Sequence, residues 1–529
     1  MMIIIQLFVS FLELSNSYKE REKMKSLSKN VIMTIITRIV TLITGLIVQQ
    51  RILVAYGSSL NGLTSSITQV MSYLVILEAG LGTASVQALY SPLAAKDWDK
   101  ASGIVTATGK EYKKISIVFF LSLLAASVLI PLAVSGQIEF AVASALTLIT
   151  GGSYVISYIL GGKYKALLNA DRKLYILCLA DIISIVLSCI LRVIALEFGY
   201  GIVIVQLLNL ACVILKNVCY VSYVKKKYEY INYQKKPDYL AVNKRWNVLI
   251  HSLAGLVVNH TDVLILTIFA DLKIVSLYSI YNMVFSQLST VIQSTFMQAP
   301  QSNFGYLYNS DKKEYERYYG LYETGFSIFL FIIVTIALIM ILPFVSIYTR
   351  GITDIQYIDA FLPVLFTLIL LMNQIRVPAI VTINVAGAFK ETQNGAIIEA
   401  LINIIVSLVL FFFTPLGLYG LLIGTVCSYI YRTSDVIIYV YKHLIERNII
   451  KYLKLIFVNT VTAIIIYILF NVIFPVTVSS FIEWIIKAII ISLVTTVIYI
   501  ITNYCINHEE MKNVVNFCAR LIKSKKISN

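Results

Sequence analysis

The chain has 529 residues, of which 58% are hydrophobic and only 13% are charged, and its net charge at pH 7 is +15. A soluble protein of this size would carry far more charge on its surface, so the composition excludes a soluble globular enzyme. Crossing ~30 Å of hydrocarbon takes ~20 mostly apolar residues in a helix, and backbone hydrogen bonding in lipid favours helices for such runs. We therefore predict an all-α polytopic membrane protein.

Apolar runs of spanning length follow one another along most of the chain. Their lengths and the polar breaks between them predict about fourteen transmembrane helices. The predicted spans are residues 31–50, 60–81, 115–134, 140–160, 175–196, 201–224, 246–270, 275–297, 325–347, 358–386, 395–414, 418–441, 456–473 and 481–501.

Lysine and arginine are distributed unevenly between alternate connecting segments. If the N-terminus is cytoplasmic, nearly all of these cations fall inside, and the outer loops hold only Arg51, Lys273 and Arg350. The positive-inside rule then places both termini in the cytoplasm. Because the cations are spread through short loops, we expect membrane lipids as partners and no nucleic acid.

Motifs of metal, nucleotide and redox chemistry are missing from the sequence. The seven cysteines show no C-x-x-C spacing, the four histidines form no H-E-x-x-H pattern, and no phosphate-binding loop is present. No predicted connection is long enough for a soluble catalytic domain. We expect no cofactor, no metal and no enzymatic activity. Transport is the function that the sequence favours. The alternatives are a membrane-embedded glycosyltransferase or polymerase and a non-transporting scaffold.

Five cations are predicted at membrane depth, where each charge is costly and is a functional candidate by default. Arg192 and Lys487 lie within ~2 turns of the predicted outer surface and can snorkel. Lys216 is intermediate, whereas Arg38 and Arg376 lie deeper. Structural ion pairing is the alternative for the two deep arginines.

Polar residues recur at helical spacing in several predicted spans. The members of these stripes are Thr34, Arg38, Thr41, Gly45 and Gln49 in the first span, His251, Gly255, Asn259 and Asp262 in the seventh, Ser279, Asn282, Ser286, Ser289 and Gln293 in the eighth, and Glu399, Asn403 and Ser407 in the eleventh. Hydrogen bonding between helices, worth ~0.6 kcal/mol on average, explains any single stripe. Because several spans carry such stripes, and charges of both signs occur among them, we interpret the stripes together as the lining of a hydrated central chamber.

Two carboxylates, Asp262 and Glu399, are candidates for H⁺ or Na⁺ coupling, because a desolvated carboxylate titrates nearer neutral pH or holds a cation. His251 is a candidate for a proton relay, with a buried neutral histidine as the simpler interpretation. Asp181 and Arg192 are eleven residues apart, on roughly the same helix face, and we interpret them as charges that serve their own helix bundle electrostatically.

Arg376 is followed by Pro378 in the tenth span. Proline lacks an N–H and disrupts the helix around it. We therefore expect a kink here, with freed backbone carbonyls beside the guanidinium.

The spans divide into two similar halves, each beginning with a polar-striped helix that turns quickly into a second polar helix. Parallel repeats with a central site are a known transporter layout. The predicted organisation is a cytoplasmic segment that could reflect an overextended start (1–30), an N-lobe of six helices (31–224), a basic linker (225–245), a C-lobe of six helices (246–441), two further helices (442–503) and a cytoplasmic tail (504–529).

Three regions of the chain contain short motifs that are glycine hinges rather than reacting groups. They are residues 50–57 (QRILVAYG), 60–63 (LNGL), 78–82 (EAGLG), 261–266 (TDVLIL), 275–281 (VSLYSIY), Asn403, 417–420 (GLYG) and Gly424. These regions resemble the O-antigen and capsule type flippases of the multidrug/oligosaccharidyl-lipid/polysaccharide exporter (MOP) superfamily, and the resemblance covers most of the chain.

This resemblance implies a MATE-like transporter fold with alternating access. The cargo would be an undecaprenyl-diphosphate-linked oligosaccharide, carried across the cytoplasmic membrane of a bacterium for surface polysaccharide synthesis. A polysaccharide polymerase and glycosyltransferases would be partners. Arginine suits a diphosphate because its guanidinium forms bidentate, charge-assisted hydrogen bonds. The predicted substrate contacts are Arg38, Arg376 and Lys216 for the diphosphate and Gln49, Asn259, Asn282 and Asn373 for the sugar.

Two other transporters compete with this interpretation. A lipid II flippase for peptidoglycan also has about fourteen helices and an anionic cargo, but the early helices here are not rich in arginine, so it ranks second. A cation-coupled multidrug exporter would be expected to place a carboxylate in its first span. Arg38 occupies that span here, which counts against it.

Overall fold

The structure is a computed structural model, and it describes residues 21–78, 80–239, 260–298, 300–508 and 511–515. These residues form helices joined by short turns, without a strand among them, so the predicted all-α class is confirmed. The N-terminal helices are α1 (Arg21–Leu74), α2 (Leu81–Ala95), α3 (Trp98–Ala133), α4 (Phe140–Ile156), α5 (Gly162–Ala170), α6 (Leu174–Glu197), α7 (Ile202–Lys227) and α8 (His260–Phe269).

The remaining helices include one that breaks in two and two that end in wider π-helical turns. They are α9 (Leu272–Ile292), α10 (Gln301–Ser310), α11 (Lys312–Tyr348), α12 (Leu362–Ile375), α13 (Val377–Ala386), α14 (Phe389–Phe413), α15 (Leu418–His443), α16 (Ile449–Ile468) and α17 (Phe481–Ile506).

Eleven helical stretches of the described chain are long and apolar enough to cross a membrane, so the protein is multi-pass. One of them, Ile32–Leu74, contains two predicted spans. The predicted seventh span falls largely outside the described residues, and the predicted eighth span corresponds to α9, which is not among the eleven. The total of fourteen therefore stays a prediction.

A single glycine interrupts the helical stretch that holds the first two predicted spans. Gly57 has φ +78° and ψ −177°, a conformation that residues with a side chain rarely adopt. We predicted a connecting segment near residues 51–60, but these residues are helical on both sides of Gly57. The connection is shorter than expected because glycine alone can supply the break.

The N-terminal unit comprises Tyr18–Ser279 together with Gly351–Ile355. Before the Gly57 break, α1 lies along α6: Asn30 accepts a 3.0 Å hydrogen bond from the Tyr175 N–H, and Arg51 pairs with Glu197 at 2.8 Å. Beyond the break, α1 packs against α8 and the start of α9. The first part of α1 is thus held by α6 and the second by other helices.

Small and polar residues allow α1 to approach α9 closely. The Asn61 side chain donates a 2.7 Å hydrogen bond to the hydroxyl of Ser276. A Cβ on Gly62 would lie only 1.9 Å from the carbonyl oxygen of Leu272. The backbone approach therefore requires glycine at this position.

The predicted basic linker begins as an ordered segment packed on α3. The Asn232 N–H donates to the Ser102 hydroxyl at 2.9 Å, and the Tyr230 ring lies 4.1 Å from that of Trp98, centroid to centroid. Residues beyond Tyr239 are outside the described chain until His260. The lobe boundaries that we assigned from sequence stay predictions.

The C-terminal unit comprises Ile280–Arg350 and Gln356–Asn529. Helix α11 is its centre and contacts α12, α16 and α17, while α14 lies along α15. A buried polar network ties the last two helices to α11: the Tyr499 hydroxyl lies 2.8 Å from that of Thr335, and Asn503 donates to Asn459 at 2.7 Å. The predicted groove for a polyprenyl tail at α16 and α17 stays a prediction.

Candidate functional site

A break between α12 and α13 positions the most buried of the predicted cations. Arg376 ends α12 and begins α13, with φ −80° and ψ −5°, and Pro378 follows at the start of α13. Its side chain is buried, with the residue 8% exposed. The helix therefore ends and restarts at the arginine itself.

Freed carbonyls of this break receive hydrogen bonds from neighbouring helices. The Thr433 hydroxyl on α15 donates to the carbonyl of Met372 at 2.7 Å, and the Tyr452 hydroxyl on α16 donates to that of Ile375 at 3.0 Å. These side chains compensate for the donors that the interrupted helix lacks. The predicted kink is confirmed, and it is supported from two sides.

The Arg376 guanidinium lies within a cluster of charged side chains. It donates to Glu399 at 2.8 Å and to the side-chain oxygen of Asn373 at 3.0 Å. Arg432 lies 3.7 Å from Glu399 and 2.6 Å from Asp435. Two arginines and two carboxylates thus form one nearly neutral group, which we call the α12–α15 charge cluster.

The geometry leaves part of the guanidinium available. The Nε atom of Arg376 is buried and has no hydrogen-bond partner within the described residues. One face of the guanidinium lies over the Tyr429 ring, at 5.0 Å from its centroid. An anion that entered here could accept from this Nε–H, whereas a contact through the Nη atoms would have to displace Glu399 or Asn373.

The structure brings together three residues that we predicted for two separate roles. Arg376 and Asn373 were predicted to contact substrate, and Glu399 to couple an ion. Structural pairing was the alternative interpretation of Arg376, and Glu399 provides such a partner. Both roles stay predictions.

The polar stripe of α14 packs against a helix. Asn403 donates to the Thr425 hydroxyl at 3.0 Å, and the Ser407 hydroxyl donates to the Leu421 carbonyl at 3.1 Å. Gly424 permits this contact, because a Cβ there would lie 2.2 Å from the Ser407 oxygen. For this stripe, hydrogen bonding between helices is the correct interpretation, and the hydrated chamber is not needed to explain it.

In the N-terminal unit, Lys216 on α7 pairs with Asp181 on α6 at 3.0 Å. This pair agrees with an electrostatic role of Asp181 within its own helix bundle. Eleven residues along a helix separate Asp181 and Arg192 by more than 16 Å at ~1.5 Å per residue. A neighbouring helix can supply a closer cation.

Lys165 is a half-buried charge that the sequence interpretation missed. We counted it among the loop cations after the fourth span, but the chain remains helical through α5. Its ammonium lies 5.9 Å from the centroid of the Tyr220 ring, and the charges of Lys216, Asp181 and Glu78 act on it. The apolar run Ala166–Leu168 was the available signal that the helix continues.

Other predicted residues lie apart from these clusters. Arg38 is exposed on α1, Gln49 is half-buried on the same helix, and Asp262 is buried on α8. Asn282 is half-buried on α9. His251 and Asn259 lie outside the described residues.

No group of three or more histidine, cysteine, aspartate or glutamate side chains in the described part of the chain could hold a metal ion. The clusters above therefore offer paired charges and amides rather than a metal-binding arrangement. Such groups can bind an anionic or polar ligand by hydrogen bonding.

Sequence comparisons return no match, neither to a family model nor to a curated protein. Structural comparison does return matches. The structure of the lipid II flippase MurJ in an inward closed conformation aligns with a TM-score of 0.64 at 17% identity, covering 90% of this chain and 98% of that one.

Other transporters of similar architecture also align. An inward-facing MATE family transporter of the MOP superfamily gives a TM-score of 0.60 at 15% identity, covering 76% of this chain and 96% of that one. A MOP superfamily transporter from Pyrococcus furiosus, described as having a binding pocket of reverse polarity, gives a TM-score of 0.53 at 15% identity. The alignment covers 78% of this chain and 94% of that one. The chain therefore has the fold shared by the MurJ flippase and the MATE transporters.

Proposed function

We propose that this protein is a MOP superfamily flippase that carries a polyprenyl-diphosphate-linked oligosaccharide across the cytoplasmic membrane of a bacterium, with both termini in the cytoplasm. Surface polysaccharide synthesis is the process that would use such a carrier. A polysaccharide polymerase and glycosyltransferases are the proposed partners, and H⁺ or Na⁺ coupling is the proposed source of energy.

One observation carries the proposal. The MurJ structure aligns with 90% of this chain, whereas the structures of MATE transporters align with 76–80% of it. The shared architecture thus extends further along the chain for a lipid flippase than for drug transporters. A structural similarity at this level of sequence identity indicates the fold alone. The assignment of the cargo is therefore argued from the chemistry of the charged residues.

The charged residues favour an anionic cargo. Arg38 lies exposed on α1 in the N-terminal unit. Arg376 is buried in the C-terminal unit, and its Nε–H has no hydrogen-bond partner within the described residues. A diphosphate can displace Glu399 from Arg376, because a phosphate also forms bidentate hydrogen bonds with a guanidinium. Gln49, Asn282 and Asn373 are the proposed sugar contacts among described residues.

Lipid II is the second candidate cargo, since the MurJ structure is named for it. It shares the polyprenyl diphosphate and differs in its sugar and peptide. Export of a cationic drug is the third candidate, because the fold includes MATE transporters. The Arg38 side chain in the first span disfavours a cationic cargo by charge repulsion.

The test is a flipping assay in proteoliposomes that contain the purified chain. Fluorescent undecaprenyl-diphosphate oligosaccharide, lipid II and a cationic dye are compared under H⁺ and Na⁺ gradients. We expect transport of the oligosaccharide carrier, loss of transport in Arg38→Ala and partial transport in Arg38→Lys, because the lysine keeps the charge but loses the bidentate geometry.

Lys487→Gln is the matched control, since Lys487 pairs with Glu483 at 2.7 Å near the start of α17. Its transport should equal that of the wild type. Preferred transport of lipid II would select the second candidate. Transport of the dye alone, or wild-type oligosaccharide flipping in Arg38→Ala, would reject the proposed cargo or the proposed contact respectively.

A further inference from the structure

A crevice opens in the C-terminal unit beside α11, where α15 and α17 end and α16 begins. It is open on one side, and about 310 Å³ of space, open solvent included, lies within it. None of its residues belongs to the predicted substrate site. Its polar lining includes Glu323, Tyr441, Arg447, Asn448, Lys451 and Asn507.

The inner wall of the crevice is a buried ion pair. Glu323 on α11 is 3% exposed, accepts hydrogen bonds from the Tyr441 hydroxyl at 2.7 and 2.8 Å, and pairs with Arg447 at 3.2 Å. The guanidinium of Arg447 lies directly on Gly320, where a Cβ would be 2.5 Å from the guanidinium carbon. The wall is therefore fixed, and the Glu323 carboxylate balances the charge of Arg447.

The mouth of the crevice carries additional positive charge. Lys451 lies exposed at its edge, in the first turn of α16. One turn further, Lys454 donates to the Ile506 carbonyl of α17 at 3.1 Å. The Asn448 side chain accepts from the Ile450 N–H at 2.8 Å and holds the start of α16 in place.

An apolar surface continues from this mouth along α16. Ile450 is 69% exposed, Leu453 52% and Phe457 69%. In a chain that spans a membrane, such a surface lies against acyl chains. Cationic and amide groups therefore adjoin a lipid-facing helix, at an end of the unit that the positive-inside rule places in the cytoplasm.

We propose that this crevice binds the phosphate of an anionic phospholipid whose acyl chains lie along α16. Lysine and arginine N–H groups form charge-assisted hydrogen bonds with phosphate, and basic pockets between transmembrane helices on the cytoplasmic side bind such headgroups. Free inorganic phosphate has the same acceptor chemistry but no tail. The apolar surface of α16 favours the lipid. The inference is independent of the transported cargo.

The test is native mass spectrometry of the full chain purified in detergent and mixed with equal amounts of phosphatidylglycerol and phosphatidylethanolamine. We expect preferential retention of phosphatidylglycerol. Lys451→Gln should weaken its apparent affinity about fivefold, the effect of one cation near an anionic surface. Lys451→Arg should retain it. Lys390→Gln is the control, because Lys390 is exposed at the start of α14, outside the crevice.

A second variant distinguishes the two sources of phosphate. Phe457→Ser should weaken phosphatidylglycerol binding if the acyl chain lies on α16, and 10-fold excess inorganic phosphate should displace little of the lipid. Equal retention of the two lipids by the wild-type chain, or unchanged phosphatidylglycerol affinity in Lys451→Gln, would overturn the proposal. Displacement by inorganic phosphate together with an unaffected Phe457→Ser would assign the crevice to free phosphate instead.

Discussion

The guanidinium of Arg376 lies 2.8 Å from the carboxylate of Glu399, and both side chains are only 10% exposed. A buried pair of this kind costs desolvation that its attraction only partly repays, whereas removal of one partner strands the other charge. An anionic cargo that binds the Nη1 of Arg376 must therefore exchange places with Glu399. Binding of the substrate at Arg376 and release of the Glu399 carboxylate would therefore occur at the same contact.

This contact predicts a difference between single and double variants. Arg376→Gln should destabilise the protein by about 3 kcal/mol, because Glu399 keeps only the more distant Arg432. Arg376→Gln combined with Glu399→Gln should recover most of that loss, because no charge is left stranded. Thermal unfolding in detergent measures both.

Flipping assays on the same variants separate binding from folding. If Arg376 binds the cargo, the double variant should be folded but inactive. Wild-type flipping by a stable double variant would make the pair purely structural. Equal destabilisation of the single and double variants would contradict the assigned electrostatic cause.

The close approach of α1 to α9 predicts opposite outcomes for two glycines of α1. Gly62→Ala places a methyl group 1.9 Å from the Leu272 carbonyl oxygen, so the helices must separate. Overpacking of this kind costs about 1–3 kcal/mol. Gly45→Ala, where nothing lies within 4 Å of the added Cβ, should be neutral or slightly stabilising.

Thermal stability in one detergent compares the two variants directly. A Gly62→Ala protein as stable as Gly45→Ala would show that the α1–α9 contact is looser than described.

Hydropathy predicted most helices because the cost of exposing polar backbone to lipid is large and depends on local sequence. Hydropathy did not locate the break at Gly57, because the two spans are joined by this one glycine and not by a polar connecting segment. The helix break at Arg376 was predictable, since Pro378 removes a donor wherever it lies.

The polar contacts were harder to predict, because a stripe has the same sequence pattern whether it faces water or another helix. Asn403 and Ser407 are satisfied by α15, a neighbour that helical periodicity cannot identify. Lys216 found Asp181 on the adjacent helix for the same reason. The position of a charged residue within a span indicates how deep it lies in the membrane and that it needs a partner. The packing of the helices decides which residue that partner is.

Asp354 predicts a pH dependence in the loop after α11. Its carboxylate accepts hydrogen bonds from the Ser58 hydroxyl at 2.7 Å and from the Ser58 N–H at 2.9 Å. Burial opposes ionisation, but these bonds and the charge of Lys273 outweigh it and hold the pKa of Asp354 below its ordinary value of 3.8. The ionised form therefore stabilises the folded state.

The sign of the effect follows from the lowered pKa. The contribution of Asp354 should be complete above about pH 4, the unfolded pKa, and should be lost as pH falls through the lower folded pKa. Thermal stability from pH 7 to pH 3 should fall less steeply in Asp354→Asn than in the wild type, and Ser58→Ala should give an intermediate slope. Glu139→Gln is the control, since that side chain makes no capping bond at α4. An unchanged slope in Asp354→Asn would contradict this assignment.

The last two helices are joined by a buried amide pair, which predicts a coupled effect of two substitutions. Asn503 donates to Asn459 at 2.7 Å, and both residues are fully buried. Asn503→Leu alone should leave the buried side-chain oxygen of Asn459 without its donor. In Asn459→Leu, the Asn503 amide loses one acceptor but still donates to the Tyr499 carbonyl and accepts from Asn507. The double variant should therefore be less destabilised than the sum of the singles, by about 0.6 kcal/mol and at most about 1.7 kcal/mol. Strictly additive losses in a thermal double-mutant cycle would show that this amide pair does not couple α16 to α17.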